Sequence, residues 1–293
     1  MIEKDNVKLN ESLNDHTTYK VGGTCKYFIT PKDKEELIDL VKYLRKNNIK
    51  YMILGNGSNT IFSSKEYDGV IINLTNLDSM KIDGNKIEVE AGYQLIKLSM
   101  DALNNELSGL EFAAGIPGNI GGAVFMNAGA YRSDMSNLIK TVTFLDENLE
   151  LQTLSNEELE FSYRKSIFQK RNCIILSTVL ELTPGNKDDI KALMDKRKER
   201  RIESQPLDYP SAGSVFRNPS EDVFAGKLIE DLGLKGYTIG GARISEKHAN
   251  FIINIGDATG EDIKALIDLV KAKVKEKYDI DLHVEQRFIN FED

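Results

Sequence analysis

The feature that most constrains this fold is an uncharged, glycine-rich stretch, AGIPGNIGGAVFMNAGAYR, at residues 114–132. It has no charged residue before its final arginine, although 29% of the chain is Asp, Glu, Lys or Arg. A membrane-spanning helix needs about 18 to 20 consecutive apolar residues, and the proline, asparagines and glycines here interrupt any such helix. A tight turn needs about one or two glycines. Five glycines therefore favour a backbone that approaches a ligand closely.

Hydrophobic periodicity predicts alternating strands and helices around this stretch. Apolar residues recur every three or four positions in the predicted helices, and short apolar runs bounded by turn residues indicate strands. In chain order the prediction is a strand at 26–30, a helix at 34–48, a strand at 50–54, the turn GNGSN at 55–59, strands at 69–74 and 86–92, a helix at 94–107, a hairpin at 141–154, a strand at 173–182 and a helix at about 187–203.

A second, smaller α/β domain is predicted to begin near residue 204, where the linker SQPLDYPSAGS changes the composition. A short helix at 226–233, a strand at 249–256, a helix at 261–278 and a final strand at 280–291 follow. The predicted fold class is therefore α+β, with an α/β domain at 1–203 and a smaller α/β domain at 204–293. Within the first domain the pattern indicates two α/β subdomains, at about 20–75 and 76–203.

Charge and cysteine content exclude several classes of protein. The net charge of −8 does not suit a nucleic-acid-binding protein, which must neutralise phosphates. The local basic run KRKERR at 196–201 fits either a solvated helix end or an anion or partner site. Cys25, Cys173 and three scattered histidines form no metal-ligand, disulfide or dithiol motif. Because the N-terminal segment MIEKDNVKLNESLND is polar, we expect a cytoplasmic protein without membrane insertion, and no feature indicates an obligate protein partner.

The turn GNGSN at 55–59 follows a predicted strand directly, as a phosphate-binding loop would. It lacks the Rossmann fingerprint, because Thr60 stands where the third glycine belongs, and it lacks the GK[ST] of a P-loop. Its backbone amides suit a diphosphate. By itself the motif fits a plain hairpin turn equally well.

Taken together, the two glycine segments resemble the UDP-N-acetylenolpyruvoylglucosamine reductase family, within the para-cresol methylhydroxylase and vanillyl-alcohol oxidase superfamily of FAD-binding proteins. The resemblance covers nearly the whole chain. It rests on YKVGG at 19–23, ILGNGSN at 53–59, GIPGNIGGA at 115–123, NAGAY at 127–131, YRKSIF at 163–168, SAGSVFRNP at 211–219, AGKLIEDLGLKG at 226–236, ISEKHANFIIN at 244–254 and VEQRF at 284–288.

The resemblance implies an FAD-binding domain at 1–203, a substrate-binding domain at 204–293, and FAD held along both glycine segments. Some oxidases of the superfamily tether the flavin through His or Cys, and neither segment contains one, so we expect non-covalent FAD. The implied cofactor-binding residues are Leu54, Gly55, Asn56, Gly57, Ser58, Asn59, Ala114, Gly115, Ile116, Pro117, Gly118, Gly121, Gly122 and Ala123.

The family reduces an enolpyruvyl ether on a UDP-sugar with NADPH. By resemblance, hydride passes from NADPH to FAD and from flavin N5 to C3 of the enolpyruvyl group, and Ser214 protonates C2. Arg164 would hold the substrate carboxylate as enolate charge develops, and Glu285 would act near C2. From pattern alone, Ser214 equally fits a turn serine bonded to local backbone, Arg164 a surface cation and Glu285 a half-exposed position in the last strand.

The resemblance also implies residues for the substrate. Lys227, Arg243 and Arg287 are looser candidates for the diphosphate than Arg217 and Asn218. The chain resembles the form of the family without an inserted tyrosine loop. The alternatives to this function are another FAD-dependent oxidase of the superfamily and a non-catalytic nucleotide-binding module. The implied substrate-binding residues are Tyr131, Tyr163, Arg217, Asn218 and Arg287.

Overall fold

The structure is a computed structural model that describes residues 6–291. The polar N-terminal segment named above covers residues 1–15, of which residues 1–5 lie outside the described part. The helices are α1 (Lys34–Lys46), α2 (Leu95–Asn104), α3 (Ile120–Met126), α4 (Lys187–Ser204), α5 (Ala225–Asp231) and α6 (Gly260–Tyr278), with short 3-10 turns at Leu13–His16, Met135–Asn137, Asn156–Leu159 and Ile167–Gln169.

The strands account for most of the remaining regular structure. In chain order they are β1 (Val7–Ser12), β2 (Thr24–Ile29), β3 (Tyr51–Leu54), β4 (Thr60–Phe62), β5 (Tyr67–Asn73), β6 (Met80–Asp83), β7 (Lys86–Glu90), β8 (Leu107–Ser108), β9 (Gly129–Ala130), β10 (Ser133–Asp134), β11 (Ile139–Leu145), β12 (Leu151–Ser155), β13 (Ile174–Glu181), β14 (Thr183–Pro184), β15 (Thr238–Ile239), β16 (Ala242–Ile244), β17 (Ile252–Asn254) and β18 (Arg287–Ile289).

The chain divides into two compact units. The first takes in the described residues of Met1–Leu9 together with Tyr27–Asn56 and Gly69–Glu199. The second takes in Asn10–Lys26, Gly57–Asp68 and the described residues of Arg200–Asp293. The domain limits inferred from the sequence, 1–203 and 204–293, stay a prediction.

The first unit is built on two sheets and the helices that cover them. One sheet has the strand order β1-β2-β5-β3, with β3 and β5 parallel; β3 lies wholly in this unit, and β1, β2 and β5 lie partly in it. The other has the order β12-β11-β13-β7-β6, with antiparallel neighbours. Helix α1 begins where the Asp33 carboxylate accepts from the Glu36 N–H, which satisfies an otherwise unbonded donor of the first turn. It buries Leu37, Leu40 and Val41, the face that the spacing predicts.

The second unit has the sheet β15-β16-β17, covered by α6, and a parallel pair of β18 with β4. A reciprocal capping box of Thr259 and Asp262 starts α6, and Asp279 in the left-handed conformation ends it. Its buried residues include Ile263, Leu266 and Ile267. Each such side chain stabilises the fold by about 1.5 to 3 kcal/mol when removed from water.

Most predicted elements are confirmed, but several short strands were not predicted, among them β1, β4, β6 and β16. Two further differences concern the functional segments. The glycine-rich stretch contains α3, which glycine content concealed because glycine is a poor helix former. The last strand is shorter than predicted, so Glu285 precedes β18 and does not lie within it. Nearby, Val284 makes only an isolated antiparallel bridge with Phe216.

Candidate active site

The glycine-rich stretch begins with a loop at 114–119, which leads into α3 and then into β9, in the first unit. The first N–H groups of α3 are bonded to the end of a neighbouring strand segment, because Ile120 donates to the Tyr93 carbonyl and Gly121 to the Ala91 carbonyl. A Cβ on Gly121 would lie 3.0 Å from the Ala91 Cβ, and one on Gly129 would lie 2.4 Å from the Ser133 carbonyl oxygen. Gly129 is therefore required for packing, and Gly121 is tightly packed against Ala91.

Gly122, by contrast, leaves its backbone accessible. Gly122 is exposed, and a Cβ there would meet nothing within 4 Å. Gly55 of the GNGSN turn lies against the same stretch, because a Cβ on Gly55 would be 3.3 Å from the Asn119 Oδ1. The fold of the first unit thus brings together Gly55 and the loop that precedes α3, as expected for two segments that line one ligand.

Asn119 lies at this junction and was absent from the residues predicted from the sequence. It is only 4% exposed, and its Nδ2 donates to the Gly92 carbonyl. That bond fixes the orientation of the amide, since the reverse orientation would place two oxygens together. The Oδ1 has no hydrogen-bond partner among the described residues. A buried acceptor without a partner normally indicates a missing ligand or water.

Arg164 lies in a tight turn between Ser162 and Lys165, with a left-handed φ of 57°. Its Nη2 donates to the Gly129 carbonyl at 2.6 Å and its Nη1 to the Asn127 carbonyl at 3.4 Å. The guanidinium is therefore attached to the C-terminal end of the glycine-rich stretch and is partly buried. A freely solvated surface cation would not make these bonds.

The two predicted tyrosines of the first unit differ in environment. Tyr163 is 52% exposed, and its ring lies 5.1 Å from the Arg164 guanidinium carbon. Tyr131 is partly buried; its hydroxyl donates to the Arg197 carbonyl at 3.0 Å, and the Arg197 guanidinium lies 5.0 Å from its ring. The basic run at 196–201 belongs to α4, so one of its arginines covers a predicted substrate residue.

In the second unit, Ser214 follows Gly213, whose φ of 73° is the left-handed conformation that favours glycine. No described residue hydrogen-bonds to the Ser214 hydroxyl, whereas the following backbone is firmly held. Val215 donates to the Asn250 carbonyl, and the Asn250 side-chain amide bonds both the N–H and the carbonyl of Phe216. This arrangement disfavours the turn serine bonded to local backbone.

The Glu285 segment runs antiparallel to the Ser214 segment. The Glu285 N–H donates to the Val215 carbonyl at 2.8 Å, and the Arg217 N–H donates to the His283 carbonyl at 2.9 Å. The Glu285 carbonyl in turn accepts from the Asn59 side chain at 3.1 Å. Two predicted catalytic residues of the second unit therefore lie on adjacent segments, and the last residue of GNGSN is bonded to one of them.

A cavity of about 370 Å³ lies in the second unit. It is lined by three of the residues predicted from the sequence, Ser214, Asn218 and Lys227. Its lining does not contain the predicted residues Arg217, Arg243 and Arg287. The Asn218 Oδ1 accepts from the Ala225 N–H, which leaves the Nδ2 as the donor of that amide. The full lining is Ser214, Asn218, Phe224, Gly226, Lys227, Glu230, Lys235, Lys247, His248, Ala249 and Asn250.

The cavity is positively charged, because three lysines face one glutamate. Burial lowers the pKa of His248 below its usual value of 6.5, so this ring is neutral at pH 7. Its Nδ1 accepts from the Asn250 N–H, which puts the ring proton on Nε2. Sequence reasoning missed Lys235, Lys247 and His248, although LGLKG and SEKHAN stand within the quoted motifs.

Two negative findings concern the described residues 6–291. No group of three or more His, Cys, Asp or Glu side chains in this part of the chain could hold a metal ion. Over the same residues, every helix is too short or too polar to cross a bilayer.

Comparison with known proteins gives matches over nearly the full chain. Two family models match: the FAD binding domain at residues 25–155 and the UDP-N-acetylenolpyruvoylglucosamine reductase C-terminal domain at residues 205–289. The chain is 46% identical over 289 residues to the reductase of that name from Caldanaerobacter subterraneus subsp. tengcongensis, covering 99% of this chain and 95% of the relative. It is 47% identical over 285 residues to that of Anoxybacillus flavithermus, covering 97% and 94%.

A solved structure shows the same fold. The crystal structure of UDP-N-acetylenolpyruvylglucosamine reductase from Thermus caldophilus superposes with a TM-score of 0.81 at 33% sequence identity. The superposition covers 96% of this chain and 97% of that one.

Proposed function

The chain belongs to the UDP-N-acetylenolpyruvoylglucosamine reductase family, and we propose that the residues described above carry out the reaction of that family. The protein is an FAD-dependent oxidoreductase. It reduces UDP-N-acetylenolpyruvoylglucosamine to UDP-N-acetylmuramate with NADPH, a step in the synthesis of peptidoglycan precursors. The observation that carries this assignment is the similarity to named reductases over nearly the whole chain.

A turnover assay tests the function as a whole. NADPH consumption by the purified yellow protein should depend on added enolpyruvyl UDP-sugar, with one lactyl ether formed for each NADPH consumed. NADPH consumption that depends on oxygen and ignores the UDP-sugar would instead indicate an oxidase. A colourless protein without turnover would indicate a nucleotide-binding module.

The first unit fits FAD at the junction of its glycine segments. The Asn119 Oδ1 offers a buried acceptor that no described residue satisfies, Gly55 lies against Asn119 without a side chain to cover it, and Gly122 exposes backbone. When bound, FAD supplies hydride transfer from NADPH to the enolpyruvyl group. The predicted cofactor residues would hold it through backbone N–H donors and short polar side chains, which suit the diphosphate of FAD.

FAD is expected to be held without a covalent bond. Neither glycine segment contains His or Cys, and burial raises the pKa of both the Cys25 and Cys173 thiols to about 11, which suppresses the nucleophilic thiolate. Acid precipitation of the holoenzyme should release all the yellow colour into the supernatant. Colour that stays with the washed pellet would refute this prediction.

Asn119→Ala should weaken FAD binding by about 3- to 12-fold, the effect of one neutral hydrogen bond. FAD affinity is measured by titrating the deflavinated protein and following flavin fluorescence. The exposed Asn105→Ala is the matched control and should leave FAD affinity unchanged. Because the Asn119 Nδ2 also bonds the Gly92 carbonyl, the FAD-free variant should have a lower melting temperature than the FAD-free wild type. An unchanged FAD-induced rise in melting temperature would contradict the contact.

We propose Ser214 as the proton donor to C2. Its hydroxyl makes no protein hydrogen bond among the described residues, so it is available to a ligand in the cavity that it lines. A serine hydroxyl is a very weak acid, and it protonates only a strongly basic centre such as an enolate carbon. The backbone bonds of Val215 and Phe216 to Asn250 hold the residue in place.

Arg164 and Glu285 are proposed to act on the charge that develops in the substrate. The planar guanidinium of Arg164 can bind a carboxylate with two parallel hydrogen bonds, and it stabilises the enolate as negative charge spreads onto that carboxylate. Glu285, on the segment adjacent to Ser214, would assist at C2 in its protonated or hydrogen-bonded form. A bare carboxylate beside an enolate would be repulsive.

The cavity of the second unit is proposed to hold the diphosphate of the UDP-sugar. Lys227, Lys235 and Lys247 provide cationic groups, and Asn218 provides an amide donor. Two of these lysines are paired with carboxylates, Lys227 with Asp231 and Lys235 with Glu230, so binding would exchange one anionic partner for another. Arg217 and Arg287 stay predictions as substrate ligands. We further propose a cytoplasmic location and no nucleic-acid partner, in keeping with the net charge of −8.

A further inference from the structure

The motif YKVGG at 19–23 has no role in the mechanism above, yet its tyrosine is fully buried in the second unit. The Tyr19 hydroxyl donates to the Gln286 Oε1 at 3.1 Å, across 267 positions of sequence. Burial raises the pKa of the Tyr19 phenol, so this group is a permanent donor. The Tyr19 carbonyl accepts from the Asn254 side chain at 3.0 Å, which fixes the backbone at the tyrosine.

Gln286 is 4% exposed and immediately follows Glu285. Its Nε2 donates to the Ala212 carbonyl at 3.1 Å and lies 3.5 Å from the carbonyls of Gly213 and Ser214. Carbonyl oxygens only accept, so they fix the amide orientation and direct the Oε1 to Tyr19. One side chain thus contacts three successive carbonyls of the turn that carries Ser214.

The backbone register supports the same relationship. Phe216 is bridged to Val284, and the Glu285 N–H donates to the Val215 carbonyl, so Gln286 comes opposite Ser214. Gly213 in this turn has a left-handed φ of 73°, a conformation that glycine favours. A buried amide whose polar atoms are all bonded is a rigid support.

We propose that Gln286, held by Tyr19, is a positioning residue that sets the Ser214 hydroxyl for proton transfer to the substrate. It touches neither substrate nor cofactor in this role and acts only through the 212–214 turn. The inference rests on the proposed function of Ser214.

The test separates the two half-reactions in variants of Gln286 by anaerobic stopped-flow absorbance. Gln286→Met keeps the volume and removes both hydrogen bonds, and misplacement of a reacting group by about 1 Å costs up to about 100-fold in rate. We expect reoxidation of the flavin by the enolpyruvyl UDP-sugar to slow by about 10- to 100-fold. NADPH-driven bleaching of the flavin absorbance and the affinity for FAD should stay within about twofold of wild type.

Gln286→Glu adds a readout that a merely structural residue would not give. At neutral pH the introduced carboxylate faces carbonyl oxygens and repels them, which slows reoxidation. As pH falls through its pKa, which this environment raises, the protonated form becomes an O–H donor to the Ala212 carbonyl. The rate of reoxidation relative to wild type should therefore recover on acidification in Gln286→Glu and stay flat in Gln286→Met.

Two comparisons keep the outcomes distinct. Ser214→Ala, measured in parallel, reports on the proposed function: rapid reoxidation in that variant refutes the role of Ser214 itself. Slow reoxidation in Ser214→Ala with Gln286→Met within about twofold of wild type overturns the positioning role alone. Equal slowing of both half-reactions also overturns it. If Gln286→Met does not fold, Tyr19→Phe provides the test. We expect it to slow flavin reoxidation by about 3- to 10-fold and to leave flavin reduction by NADPH unchanged.

Discussion

Ser214→Ala is expected to stop the catalytic cycle after NADPH has reduced the flavin. The NADPH-driven step needs no proton at substrate C2, whereas the second half-reaction cannot finish without one. Loss of a general acid costs about 10² to 10⁴ in rate, far more than the packing effect of removing one hydroxyl. The absence of any protein hydrogen bond to the Ser214 hydroxyl among the described residues makes secondary structural damage small.

Anaerobic stopped-flow absorbance measures both steps in one experiment. The flavin absorbance of the variant should bleach with NADPH at nearly the wild-type rate and stay bleached when the enolpyruvyl UDP-sugar is added. Ser220→Ala, an exposed serine just beyond the same motif, is the matched control and should behave as wild type. Rapid recovery of absorbance in Ser214→Ala would move the proton donor to Glu285 or a bound water.

Arg164→Lys is expected to lower kcat far more than it raises KM. A lysine keeps the positive charge but cannot form two parallel hydrogen bonds to a carboxylate, and the contact matters most when enolate charge develops. A single ammonium nitrogen also cannot reproduce the two separate bonds from the Arg164 Nη1 and Nη2 to the Asn127 and Gly129 carbonyls, which hold the side chain in place. Removing one charge-stabilising donor typically costs about 10² to 10³ in kcat.

Steady-state kinetics with varied UDP-sugar separate the two constants. Arg171→Lys is the matched control, because Arg171 is exposed in the same unit and has no proposed role. A kcat within about twofold of wild type in Arg164→Lys would remove the proposed electrostatic role. A rise in KM with unchanged kcat would instead mean that Arg164 binds the ground state and the transition state equally.

The order of elements could be predicted from the sequence because periodicity reports local burial. Helices α1 and α6 lie where apolar spacing places them, and β11 and β12 form the predicted hairpin. The motifs also identified the family and therefore FAD, NADPH and the substrate. Helix α3 was missed because five glycines in the stretch suggest loop, and its start is bonded to the carbonyls of Tyr93 and Ala91, far away in sequence.

The role of each glycine in the stretch 114–132 also could not be predicted from the sequence. The sequence indicated that the glycines serve close approach, but it could not assign the partner of each. The structure shows that Gly121 and Gly129 meet protein atoms, whereas Gly122 meets none. Only the packing of neighbouring segments distinguishes these cases, because a missing side chain carries no pattern of its own.

The sequence by itself determined the α+β class, the positions of most elements and the family, since these follow from local periodicity and from contiguous motifs. The tertiary structure alone decided which polar groups meet. The Asn119 side chain bonds the Gly92 carbonyl, which leaves its Oδ1 as a buried acceptor without a partner among the described residues. Lys235 and His248 line the same cavity, and Gln286 lies opposite Ser214. These contacts are hydrogen bonds and charges between residues far apart in the chain, and their strength depends on burial and orientation, which no linear pattern specifies.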